Sequence, residues 1–120
     1  IYGMDVIYGK NRDLLRRKWI YCSGGSWQDY TVKYDAIESI AYEENMFRDT
    51  NTIRTNGFGN LKYSMGHFRD EIHADYIRYT HNDCDTYVVM EVEGSTVILN
   101  GADDAQTREI YNNIRERMEK

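Results

Sequence analysis

The run Tyr87-Val88-Val89-Met90-Glu91-Val92, then Glu93-Gly94, then Thr96-Val97-Ile98-Leu99 decides the fold class. Two apolar, β-branched runs flank a pair that ends in glycine, the pattern of a tightly turned β-hairpin. The near-continuous apolar character of the first run means burial on at least one face. Asn100-Gly101-Ala102 ends the strands, and a helix follows over residues 103–119. Asp103 is placed to cap it, Gln106 three residues later completes a capping box, and Asp104 adds negative charge at the positive helix end. Ile110, Tyr111, Ile114 and Met118 fall on one apolar stripe, and Arg115, Arg117 and Lys120 suit the C-terminal end.

Strand signals continue upstream. Residues 63–69 and 76–80 each read as a strand, with His81-Asn82-Asp83-Cys84-Asp85 as the turn before the decisive hairpin. Trp19-Ile20-Tyr21-Cys22 and the alternating Tyr30-Thr31-Val32-Lys33-Tyr34 surround a Gly24-Gly25 tip and read as a first hairpin. Asp35-Ala36 turns the chain into a third strand over 37–44. Residues 45–63 are dense in turn formers, among them Asn45, Asp49, Asn51, Asn56, Gly57, Gly59 and Asn60; they read as one weak strand plus a long loop. Residues 1–18 hold a possible strand over 1–8, a turn at Gly9-Lys10-Asn11 and a basic cluster. The order is about seven antiparallel strands and then one amphipathic helix, in a single domain over residues 1–120. A strongly twisted sheet or partial barrel has an open end that such a helix closes.

Composition narrows the function classes. The chain has 120 residues, 41% hydrophobic and 29% charged, a globular balance. The net charge of −5 argues against general nucleic-acid binding, which needs a basic face. No apolar run approaches the ~20 residues of a membrane span. Two cysteines are too few for a disulfide scaffold. Proline is absent, which removes polyproline ligand motifs and cis-proline switches. Eleven tyrosines against three phenylalanines favour half-buried pleated surfaces. The first residue is Ile1 and not methionine, so the expectation is a piece of a longer protein.

Several segments, taken in order, resemble the bacterial pleckstrin-homology-like (PH-like) domains. They are Tyr34-Asp35-Ala36-Ile37-Glu38-Ser39-Ile40, Arg54-Thr55-Asn56-Gly57-Phe58-Gly59, Met65-Gly66-His67-Phe68 and Val97-Ile98-Leu99-Asn100, followed by residues 103–111 with Thr107 in the first helical turn. The resemblance covers residues 19–119 and leaves 1–18 poorly matched. It implies a partly open seven-stranded antiparallel barrel of two packed sheets, capped by the C-terminal helix. It also implies membrane helices ahead of the domain in full-length relatives, and no catalytic residues.

The candidate sites follow from residue chemistry. Arg54, Asn56, Gly57, Phe58 and Gly59 form a candidate interaction loop: the glycines permit positive φ and Phe58 is the type of aromatic anchor that partners use. The alternative is a tight turn with Phe58 folded inward. Arg12, Arg16, Arg17 and Lys18 form a candidate membrane-proximal cluster, each charge worth about 1 kcal/mol near anionic headgroups; the alternative is a solvated turn. The first-hairpin tip over 23–29 carries Asp29 and no cation, so specific phosphoinositide recognition is not expected. His81-x-x-Cys84 has workable metal spacing but lacks further ligands nearby, and no metal or cofactor is expected. Ser23, Ser26, Ser39, Ser64 and Ser95 sit in no nucleophile elbow, and no catalytic residue is assigned.

The expectation is a non-catalytic PH-like binding or assembly module, the soluble, cytoplasmic part of a membrane-associated bacterial protein. Protein partners or self-association through strand edges and the long loop fit it; nucleic acid does not. The alternative is a small enzyme or ligand-binding barrel with a pocket between sheet and helix, which a buried polar cluster under the helix would favour.

Overall fold

The computed structural model describes residues 5–7, 19–23, 30–47, 50, 52–59 and 63–118. The strands are β1 (Asp5–Ile7), β2 (Trp19–Ser23), β3 (Tyr30–Lys33), β4 (Ile37–Glu44), β5 (Ile53–Gly59), β6 (Tyr63–Asp70), β7 (Ala74–His81), β8 (Thr86–Val92) and β9 (Ser95–Leu99). A 3-10 turn at Tyr34–Ala36 links β3 to β4, and helix α1 spans Asp104–Met118. β1, β2 and β3 make a small antiparallel sheet, with Val6 opposite Cys22 and Ile20 opposite Val32. The other six strands form one open sheet in the order β4-β8-β9-β7-β6-β5.

The chain is mainly β with one C-terminal helix, as its sequence indicates. The strand count and pairing differ from expectation: nine described strands stand where seven were expected, and the larger sheet is mixed, not wholly antiparallel. The mixed pairing has its reason in two short connections. Glu93 and Gly94 both have positive φ (50° and 85°), the backbone of a primed two-residue turn that folds β9 straight back on β8. Residues 82–85 alone join β7 to β8, and β9 fills the place between those two strands. It therefore lies parallel to β7, with Ile77 opposite Val97 and Tyr79 opposite Leu99.

β9 is the centre of the core. Val97, Ile98 and Leu99 are all fully buried because both faces of the sheet are covered. On one face, Met65, Tyr79, Val88, Met90, Val92, Val97 and Leu99 pack with Val32, Tyr34, Ile37 and the helix residues Ile110 and Ile114; Tyr111 and Met118 pack at the margin. On the other face, Phe68, Tyr76, Tyr87 and Ile98 pack beneath Met46 and Phe47 of the β4–β5 connection. The alternation along β8 follows: Val88, Met90 and Val92 point to the helix, while Tyr87 and Val89 point away. Sequence patterning gives the near-continuous run of a doubly covered strand.

The helix start is fixed locally. Gln106 N–H donates to Asp103 Oδ1 at 2.8 Å, and Gln106 Oε1 accepts from Ala102 N–H at 2.6 Å, a capping box reaching one residue further back than the usual form. Asn100, fully buried at the end of β9, accepts from His81 N–H and donates to the carbonyls of His81 and Cys84, tying the β7 end and its following link to β9. Among the described residues no helix is long and apolar enough to cross a membrane.

Ile114 is 0% exposed in the middle of the apolar stripe. Ile114→Ala is expected to cost about 2–5 kcal/mol in urea denaturation, by lost transfer energy and a residual cavity. A loss under about 0.5 kcal/mol would mean that the helix does not seal this face.

Candidate functional site

The outer face of the six-stranded sheet carries a buried polar network. β6 ends at Asp70, whose carboxylate closes the turn into β7. Its Oδ1 accepts from the backbone N–H of Ile72 (2.9 Å) and of His73 (2.5 Å), and Oδ2 accepts from His73 Nδ1 (2.9 Å) and Tyr76 Oη (3.2 Å). These bonds hold Ala74 at a φ of 58°, a conformation that a non-glycine residue rarely adopts. Burial pushes the Asp70 carboxyl up, but the hydrogen bonds from His73 and Ile72 outweigh it and hold the group below its ordinary 3.8. Chiefly through burial, the Tyr76 phenol is pushed up to about 12.

Arg78, 7% exposed, lies beside this network. Its Nε donates to the fully buried Thr80 Oγ1 at 2.6 Å. The guanidinium carbon sits 3.9 Å from the centroid of the Phe47 ring, with Phe68 and Tyr87 at 5.8 and 5.9 Å. Phe47 in turn packs on Tyr87, Tyr76 and His73 at 5.0 to 5.5 Å. A single ring from the β4–β5 connection thus covers the cation. Burial lowers the Arg78 pKa below the ordinary arginine range, and Tyr87 is raised by burial. Asp70 and His73 are the residue types of an acid–base pair, but both are committed to closing a turn. The sequence reading assigned no role to Asp70, Arg78 or Phe47. The available signal was Asp70-Glu71-Ile72-His73 between two strands, an Asx-turn pattern.

The candidate interaction loop is not a loop. Arg54, Asn56, Gly57, Phe58 and Gly59 lie on β5, the outermost strand of the sheet, paired antiparallel with β6. Gly57 faces Gly66 across the ladder, and a Cβ on Gly57 would collide with the carbonyl oxygen of Met65. Glycine is required there by close approach and not by the positive φ expected from the sequence; in this ladder the positive φ belongs to Gly66. The register slips between Arg54 and Asn56, leaving Thr55 as an extra residue without a partner on β6. Residues 52–56 are all exposed. A shallow hollow of about 410 Å³ beside them is lined by Thr55, Asn56, His67, Phe68, Asp75 and Tyr76. The Phe58 side chain, the basic cluster Arg12, Arg16, Arg17 and Lys18, and the hairpin tip over 24–29 lie outside the described residues.

A buried polar cluster does sit under the helix start, but its own members fill it. Thr107 Oγ1 accepts from Gly101 N–H and donates to the Asp103 carbonyl. Thr86 Oγ1 donates to Asp104 Oδ1 at 3.0 Å, and the free, buried thiol of Cys84 lies against Thr86 and Thr107. Among the described residues no three His, Cys, Asp or Glu side chains converge on a point that would hold a metal. Compared with protein-family models, curated proteins and solved structures, the chain gives no match.

Asp70 makes a pH prediction. A carboxyl with a depressed folded pKa contributes stability above its unfolded pKa and loses it as pH falls through the folded value. Asp70→Asn is expected to lower stability by about 1–3 kcal/mol at neutral pH. The gap to the parent protein should close as urea denaturation is repeated below about pH 4. A gap that stays constant into acid would show that the charge contributes nothing.

Proposed function

We propose that the chain is a PH-like binding and assembly module without catalytic activity, which takes an extended protein segment along the outer edge of β5. The observation that carries this reading is the edge itself. β5 terminates the six-stranded sheet, residues 52–56 are exposed, and among the described residues no strand pairs with its outer side. Such an edge presents backbone N–H and C=O groups to a partner strand, whose main-chain bonds supply affinity while neighbouring hollows read side chains. The opposite edge, β4, is guarded. Glu38, Glu43 and Glu44 are exposed along it and α1 packs against it. β5 carries one charge, Arg54.

A mainly β architecture with a terminal helix across one face supports the PH-like reading. Within it, the chain is the water-exposed, cytoplasmic part of a membrane-associated bacterial protein. The sequence support is Arg12, Arg16, Arg17 and Lys18, which suit an anionic inner leaflet.

Two experiments test these statements. Peptides selected from a random display library should move the amide resonances of residues 53–59, and the double variant Ile53→Lys, Thr55→Lys should weaken their binding at least about tenfold. Both side chains are exposed, so folding is not at stake. Peptides that move other resonances, or bind the variant equally well, would overturn the edge reading. In liposome co-sedimentation, binding should track total anionic lipid and fall with salt. Salt-resistant preference for one phosphoinositide isomer would contradict the assignment to the basic cluster.

A further inference from the structure

Resting on the β5-edge reading, we infer that the occupant of this edge is a second copy of the chain, its β5 paired antiparallel about a two-fold axis at Thr55. Four observations lead there.

The first is strand direction. Following the pairings across the sheet, β4 and β5 run the same way. Head-to-tail joining of one copy's β5 to the next copy's β4, with the helices on one side of a continuous sheet, would therefore be parallel, the less stable pairing. A two-fold axis on β5 makes the pairing antiparallel automatically and closes the assembly at two copies.

The second is charge. Self-pairing of the other edge about an axis at Ala41 would set Glu38 opposite Glu44, a like-charge pair that is destabilising. On β5 only Arg54 is charged, and an axis at Thr55 keeps the two Arg54 side chains from facing each other.

The third is register. That axis sets Thr55 opposite Thr55, Arg54 opposite Asn56 and Ile53 opposite Gly57. Thr–Thr pairs are favourable across strands, Asn offers arginine an acceptor, and a bulky side chain opposite an edge glycine covers bare backbone. Thr55 is also the residue that the bulge leaves without a partner on β6.

The fourth is apolar exposure. Among the described residues two large hydrophobic side chains are exposed, Ile53 at 59% and Ile72 at 65%. Ile53 opens β5 opposite Arg69, and Ile72 is at the tip of the turn that follows β6, so both occupy one corner of the sheet beside this edge.

The test uses the 120-residue chain in sedimentation equilibrium up to about 1 mM, a range that detects weak dimers. A monomer–dimer equilibrium is expected, with the dissociation constant raised at least about tenfold by Ile53→Lys. In a Cys22→Ser background, Thr55→Cys should form a disulfide-linked dimer on mild oxidation, because residues on the axis bring their Cα atoms within bridging distance. Ser39→Cys on β4 should not. A monomer throughout, or a dimer unaffected by Ile53→Lys and cross-linked through Ser39→Cys instead, would overturn the inference. A monomer whose 53–59 resonances still respond to selected peptides sinks the second copy while sparing the edge reading; loss of both responses sinks both.

Discussion

The placement of β9 is the constraint on which the rest of the structure depends. A two-residue turn with positive φ at Glu93 and Gly94 leaves the chain no route except directly back along β8. The slot between β7 and β8 then takes β9, and Asn100 locks its end to the backbone of His81 and Cys84. Without that insertion β7 and β8 would have no common neighbour, and the β5-β6-β7 meander would not join β4-β8 in one sheet. The sheet's two edges, and so the exposure of β5, follow from this single arrangement.

A sheet buried on both faces must settle what covers each. The helix face is hydrocarbon on hydrocarbon, with Ile110 and Ile114 seated on Val88, Met90 and Leu99. The outer face buries a guanidinium, which costs several kcal/mol unless the charge is compensated. Compensation here is distributed. Thr80 takes the Nε bond, the faces of Phe47, Phe68 and Tyr87 supply their negative quadrupoles, and Tyr76 hydrogen-bonds the ionised Asp70 nearby. Arg78 thereby fixes where Phe47 lies, and Phe47 fixes the path of the chain between β4 and β5.

The legible parts of the sequence were those whose causes are local. The β8–β9 hairpin is written in the dipeptide Glu93-Gly94 and its flanks, and the helix start in Asp103 and Gln106. The parallel β7–β9 pair is not written in either strand, since it follows from which gap is left open. Arg78 alternates with Ile77 and Tyr79 and so reads as one residue of a solvent face; it is buried by a phenylalanine 31 positions earlier, since 78 minus 47 is 31. The stretch from Arg54 to Gly59 reads as a loop because Asn56, Gly57 and Gly59 are turn formers. It is a strand because Gly66 leaves room for Gly57 to approach β6 closely.

The two covers are unequal in what it costs to remove them. Lifting α1 exposes chiefly hydrocarbon from Val88, Met90, Val97 and Leu99, with polar groups of Thr86 and Cys84 only at the helix start. Lifting Phe47 exposes the guanidinium and the Tyr76 and Tyr87 phenols, whose hydration offsets part of the lost apolar burial. The helix also begins in a cap made from its own neighbours in sequence, whereas the β4–β5 connection is held by Asn45 N–H on the Asp85 carbonyl and by Thr50 on the Phe47 carbonyl. Removing the outer cover is therefore expected to cost less than removing the helix. The ring that rests on this buried charge belongs to the connection between β4 and β5, the exposed edge strand.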